Sequence, residues 1–161
     1  MVRRSFAPRA VRVRIAVGMA LGWMPLAAAA QTEGGLYVAD GKFTFVQAAE
    51  QALARNRPGA RFFVLALPPA SAALTTAADR SAAAARTRVV GAGGVPMVCR
   101  RDLDSGAVDR ARLVPGVVAV RGFPPAGAAG PAPGERHFAD EDPAMLPKSD
   151  EALRRLRSAC A

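Results

Sequence analysis

The sequence predicts a small α/β domain of three-layer type, with helices on both faces of a short, mostly parallel sheet. Three observations predict it. Short apolar segments alternate with helical ones, the order that builds a parallel sheet through crossover connections. Arg61 to Leu67 (RFFVLAL) is an almost uninterrupted apolar run, as a strand buried on both faces requires. Removing an N-terminal leader of 30 residues from the 161 leaves enough chain for one ordinary domain, 31–161.

The leader is read from three successive regions. Residues 1–14 are basic, Ile15 to Leu26 is apolar but interrupted by Gly18, Gly22 and Pro25, and Ala27 to Ala30 follows. Small residues at Ala28 and Ala30 fit a signal-peptide cleavage site before Gln31. The apolar run is shorter than the roughly 20 residues of a membrane span. A periplasmic or secreted bacterial protein is therefore expected, not membrane-spanning after cleavage. Arg3-Arg4 leaves both twin-arginine export and the general secretory route open.

The elements follow in order. Leu36 to Ala39 is a short strand, ended by the turn signal Asp40-Gly41. Thr44 and Gln47 have capping-box spacing, and Phe45, Ala48, Ala49, Ala52 and Leu53 then recur at helical spacing through Arg55. Pro58-Gly59 stops that helix. The apolar strand from Arg61 to Leu67 ends at Pro68-Pro69. Ser71 to Arg88 is Ala-rich and predicts a second helix, with Thr75-Thr76 its weakest point. Val95 to Val98 is a further strand, with Pro96 placed as at a strand's start. Leu103 to Leu113 holds a short helix, Pro115-Gly116 a turn, and Val117 to Val120 a fourth strand. Gly122 to Gly134 is a Pro/Gly/Ala loop, and Glu135 to Pro147 is acidic and irregular. Ser149 caps a last helix whose first turn holds Asp150 and Glu151, where the helix dipole favours acids. Leu153, Leu156 and Cys160 make its apolar stripe. Arg154, Arg155 and Arg157 are read as a basic face off that stripe. So short a helix is marginal alone in water, so it either docks on the domain or is disordered, and docking is expected.

Charge and composition exclude several classes. The formal charge is +9, but five of the 22 Lys and Arg residues lie in the leader, which carries no acid. The remaining chain has 17 basic against 13 acidic residues, a net of +4, so nucleic acid is not an expected partner. At 51% hydrophobic residues the chain is not globally disordered. One His and two Cys cannot build a zinc cage of the usual Cys/His kind, and nothing in the sequence asks for a metal or cofactor. His137, with no G-x-S-x-G elbow, reads as a solvated loop residue. Asp140-Glu141-Asp142 lacks the alternating ligands of a calcium loop and reads as a solvated acidic turn. Gly91-Ala92-Gly93-Gly94 precedes a strand, which a dinucleotide fingerprint does not.

Cys99 carries the main chemical candidate. It ends a predicted parallel strand, where open α/β sheets place their ligand crevices. Arg100 and Arg101 follow, and their charge favours thiolate over thiol; they are the candidate binding residues. The competing reading is a structural disulfide, Cys99–Cys160, since two Cys in an exported protein invite one bridge. That bridge would pin the C-terminal helix over the end of the strand.

The stretch Val89 to Gly122, with a Gly-rich connection, VPMVC, a polar helical segment and LVPGVVAV, resembles the DsrE/DsrF family of small sulfur-relay proteins. RFFVLALPPASAAL is similar to that family's central strand, loop and helix. The Asp104-Ser105-Gly106 interruption and the segment Phe123 to Ala161 depart from its pattern. The resemblance implies a flavodoxin-like three-layer domain, often a homo-oligomer, that handles sulfur through a persulfide at Cys99. Two function classes lead: a DsrE-like accessory protein carrying or sensing sulfur at Cys99, working with a protein partner or a small sulfur species; and a non-catalytic periplasmic binding or assembly protein held by the Cys99–Cys160 bridge. A thioredoxin-like role ranks last, because Cys99 is followed by Arg100, Arg101 and Asp102 and there is no C-x-x-C.

Overall fold

In a computed structural model, which describes residues 35–130, 132 and 136–161, four strands form one all-parallel sheet. They are β1 (Leu36–Ala39), β2 (Phe62–Ala66), β3 (Gly94–Cys99) and β4 (Val118–Val120), side by side in that order. Registers pair Leu36 with Phe63, Phe63 with Val95, and Met97 with Val118. The leader, residues 1–30, and part of the 122–134 loop lie outside the described residues. The fold is α/β in three layers, of the small flavodoxin-like kind.

Helix α1 (Phe45–Arg55) connects β1 to β2, and α2 (Arg80–Gly91) connects β2 to β3. Both lie on one face, against Tyr37, Ala39, Phe62, Val64, Ala66 and Val98. Helices cover both faces as expected, but the crossover connections supply only one of them. Crossovers of one hand that always step the same way along a sheet put every crossover helix on the same side. The second face is covered instead by the chain's return: α4 (Asp150–Ala159) packs there on Leu36, Phe63, Leu65, Val95, Met97 and Val120.

Local signals explain α1. The Gln47 N–H donates to Thr44 Oγ1 at 3.2 Å, and the Thr44 N–H donates to Gln47 Oε1 at 2.9 Å, closing the capping box. Phe45, Ala48, Ala49 and Ala52 are its buried face. The expected helix from Ser71 to Arg88 is broken. A 3-10 turn, Ala70–Leu74, is followed by Thr75 in an antiparallel bridge to Leu113, and α2 starts afresh with Asp79 capping the Ala82 N–H at 2.8 Å. The Thr75 hydroxyl donates to Ala72 O at 2.9 Å, a local bond that competes with the helix.

Strand β3 is central and fully buried, yet contains Pro96 at its third position. Strand β4 begins opposite Met97, so at Pro96 the neighbour is β2 alone and the missing N–H costs less. Gly94 opens the strand beneath Phe62 and Val89; a Cβ there would stand 2.5 Å from the Phe62 ring. The expected helix from Leu103 to Leu113 is instead α3 (Arg100–Asp104), starting directly after Cys99, and a separate 3-10 turn at Arg110–Arg112. Among the described residues no helix is long and apolar enough to cross a membrane.

Candidate functional site

The carboxyl ends of β3 and β4 lie together, and the tail of α4 meets them there. Cys99 is the last residue of β3 and the N-cap of α3. It is joined to Cys160, the C-cap of α4, by a disulfide with Cα atoms 5.1 Å apart. Both cysteines are buried. The bridge spans 61 positions of sequence, and in the chain-entropy account such a closure contributes about 4 kcal/mol. A bridged Cys99 has no thiol to ionise.

Arg100 and Arg101 start α3 beside the bridge. Arg101 is engaged with the protein: its Nη2 donates to Ala159 O at 3.0 Å and its Nε lies 3.4 Å from Asp102 Oδ1. Arg100 Nη2 lies 3.4 Å from Asp140 Oδ2, and Arg121 Nη2, from just after β4, reaches the same oxygen at 2.9 Å. One carboxylate oxygen is thus shared by two guanidinium groups.

The Glu135–Pro147 segment holds what sequence reasoning missed. Asp140 lies in an exposed turn but is ion-paired with Arg100 and Arg121, and Glu141 is not solvated at all. Glu141 is buried and ion-paired with Arg157, at 7% and 4% side-chain exposure. Arg157 Nη1 donates to Glu141 Oε1 at 2.9 Å and to Arg121 O at 2.7 Å, and Glu141 Oε1 also accepts the Arg121 N–H at 2.7 Å. The Arg157 guanidinium stacks 3.5 Å from the centre of the Phe138 ring. Burial of two charges is costly unless hydrogen bonds satisfy them, and here each partner has several. Arg157 therefore does not belong to a basic solvent face. The signal was present: it stands four residues after Leu153 and three before Cys160, hence on the apolar stripe. Asp142 is a local cap, accepting from the Ala144 N–H at 2.8 Å.

Gly122 fixes how closely α4 approaches. A Cβ there would lie 2.0 Å from Cys160 O, so the backbone after β4 and the tail of α4 touch with no room for a side chain. The result is a cleft of about 430 Å³ beside the bridge. Arg100, Arg101, Arg121, Phe123, Phe138 and Cys160 are among its lining residues. His137 also lines it and is exposed, as its loop setting predicted. Among the described residues no group of three or more His, Cys, Asp or Glu could hold a metal ion. The cleft is lined by both cationic hydrogen-bond donors and apolar side chains, and chemically that is a binding surface.

No protein-family model matches this chain, and no curated protein matches it significantly.

Proposed function

We propose that this chain is an exported, non-catalytic binding or assembly protein in which the Cys99–Cys160 bridge is structural. The observation that supports the reading is the buried disulfide itself. It removes the one nucleophile of the candidate site and uses it to hold α4 against the basic cleft. Binding by Arg100, Arg101 and their neighbours is then the work left to the site. Intact mass of protein recovered from the periplasm tests it. A chain starting at Gln31, two hydrogens lighter than the reduced form and inert to alkylation without reductant, is the expected result. Two alkylatable thiols in the recovered protein would overturn it.

The second reading is sulfur carriage at Cys99, in the manner of the DsrE-like proteins it resembles. Its support is that Cys99 caps α3 and precedes two arginines, a setting that favours thiolate once the bridge is open. The chemistry needs a dithiol reductant, which becomes a disulfide as the bridge becomes two thiols. The Cys99 thiolate then takes a sulfane sulfur from a persulfide donor and leaves the donor as a thiol. A mass gain of one sulfur, absent in Cys99→Ala, is the outcome that would replace the first reading with this one.

A further inference from the structure

The two guanidinium groups that share Asp140 point to what the cleft binds. We infer that it takes a small organic anion with an apolar body, the oxyanion head seated between Arg100 and Arg121 in the place Asp140 now holds. The inference rests on the binding reading above and names its ligand class.

Arg101 is unavailable, since Ala159 O and Asp102 already engage it. Arg100 and Arg121 are different. Each carries five N–H donors in a planar fork, and the one carboxylate both meet is Asp140, through the single oxygen Oδ2; Arg121 Nη1 also donates to His137 O at 3.3 Å. Their side chains are 34% and 41% exposed, and both line the cleft. A carboxylate or phosphate head has the several oxygens needed to meet two forks at once. Asp140 has the right chemistry but is itself 42% exposed, so exchanging it for a ligand head moves no buried charge. Glu141, next to it, stays fixed by Arg157 and keeps the turn in place.

The apolar lining supplies the rest of the ligand class. Phe123 lines the cleft and is 42% exposed, unusual for a large apolar side chain here. Phe138 also lines the cleft, stacked on Arg157. About 430 Å³ suits a compact molecule with one ring. An anionic head with an apolar body matches both halves, whereas a bare inorganic anion would leave Phe123 uncovered.

Calorimetric titration of the bridged protein with phenylacetate, phenyl phosphate and uncharged phenylacetamide tests this. Both anions are expected to bind saturably, with the amide at least about tenfold weaker, the loss of a charge-assisted contact. The ratio of the two anions tells which head group the site prefers. Arg121→Gln should weaken both by about tenfold. Asp140→Asn should tighten both several-fold, because the internal competitor is gone while the arginines remain. Equal binding of the amide, no saturable binding of either anion, or an Asp140→Asn variant that does not bind more tightly would overturn the inference. The two variants carry opposite expected signs, so a general loss of folding cannot imitate the result. Intact mass on the same sample keeps the two readings apart. A bridged protein that ignores both anions defeats this inference alone, while a protein that cannot be recovered bridged defeats the preceding reading and this one with it.

Discussion

The two faces of the sheet are held by different physics. On the face of α1 and α2, each helix lies between the strands it connects, and local signals start it: the Thr44–Gln47 box for α1 and Asp79 for α2. The two helices and the turn between them bury mostly alanines there, with Phe45, Leu74 and Val89. The opposite face is covered by a segment that is not a crossover at all. After β4 the chain leaves the sheet and comes back as α4. Its apolar stripe is narrow, Ala152, Leu156 and Cys160. The disulfide, a buried ion pair and a Gly122 contact hold it there. A helix inserted between two neighbouring strands is returned to the sheet by its own connections. One that arrives from the chain's far end must overcome the entropy of a long loop, and a covalent link offsets that cost.

The comparison can be broken most sharply at the bridge. Replacing both cysteines by Ala is expected to cost about 4 kcal/mol in chemical denaturation. Hydrogen exchange should show α4 and residues 136–149 losing protection first, with α1 and α2 still protected. Equal loss on both faces would mean that the sheet's two sides are one cooperative unit. Next comes the ion pair. Glu141→Ala leaves the Arg157 guanidinium buried beside Phe138 with its carboxylate gone, and a loss of about 3 kcal/mol is expected. Replacing both partners with apolar residues should recover much of that loss, which would show that the penalty lies in the orphaned charge.

Gly122→Ala is a smaller but more local probe. The new Cβ meets backbone of Cys160 and Ala161, which cannot rotate away, so the tail of α4 must shift at a cost of about 2 kcal/mol. The shift should appear in the chemical shifts of α4 and leave those of α2 unmoved. The smallest effect is expected on the other face. The Ala82 N–H and the Ser81 hydroxyl hold the Asp79 carboxyl below its ordinary value of 3.8, so the folded state binds its proton less readily than the unfolded chain. Its contribution is therefore present above the unfolded value and fades as pH falls through the lower folded one. In Asp79→Asn, the part of the acid destabilisation seen below about pH 4 that belongs to this residue should vanish. An unchanged acid profile would remove Asp79 from the account of α2.

Legibility in the sequence divides along the same line. Helix α1 with its box, the turn at Asp40 that ends β1, and the cap and first turn of α4 were readable because each rests on contacts within a few residues. The break at Thr75 was half readable: the Thr pair marked it, but the bridge to Leu113 that uses the break joins residues far apart in the chain. In the candidate site, Cys99, Arg100 and Arg101 were visible as a strand end followed by charge, and Cys160 as the only other cysteine. Arg121, Asp140 and Gly122 carried no such mark. Each acquires its role from a neighbour distant in sequence.

By itself the sequence determined the α/β class, the order of the four strands along the chain, and that any internal bridge must join Cys99 to Cys160. Alternation, apolar continuity and capping are short-range properties, and a count of two leaves no choice of partner. Only the tertiary structure decided that the crossover helices share one face, that α4 closes the other, and that Glu141 and Arg157 are buried together. Those outcomes depend on strand order and on which surfaces remain to be covered once the sheet exists. A charged residue on an apolar stripe can be solvated or paired, and only the fold brings the opposite charge to it.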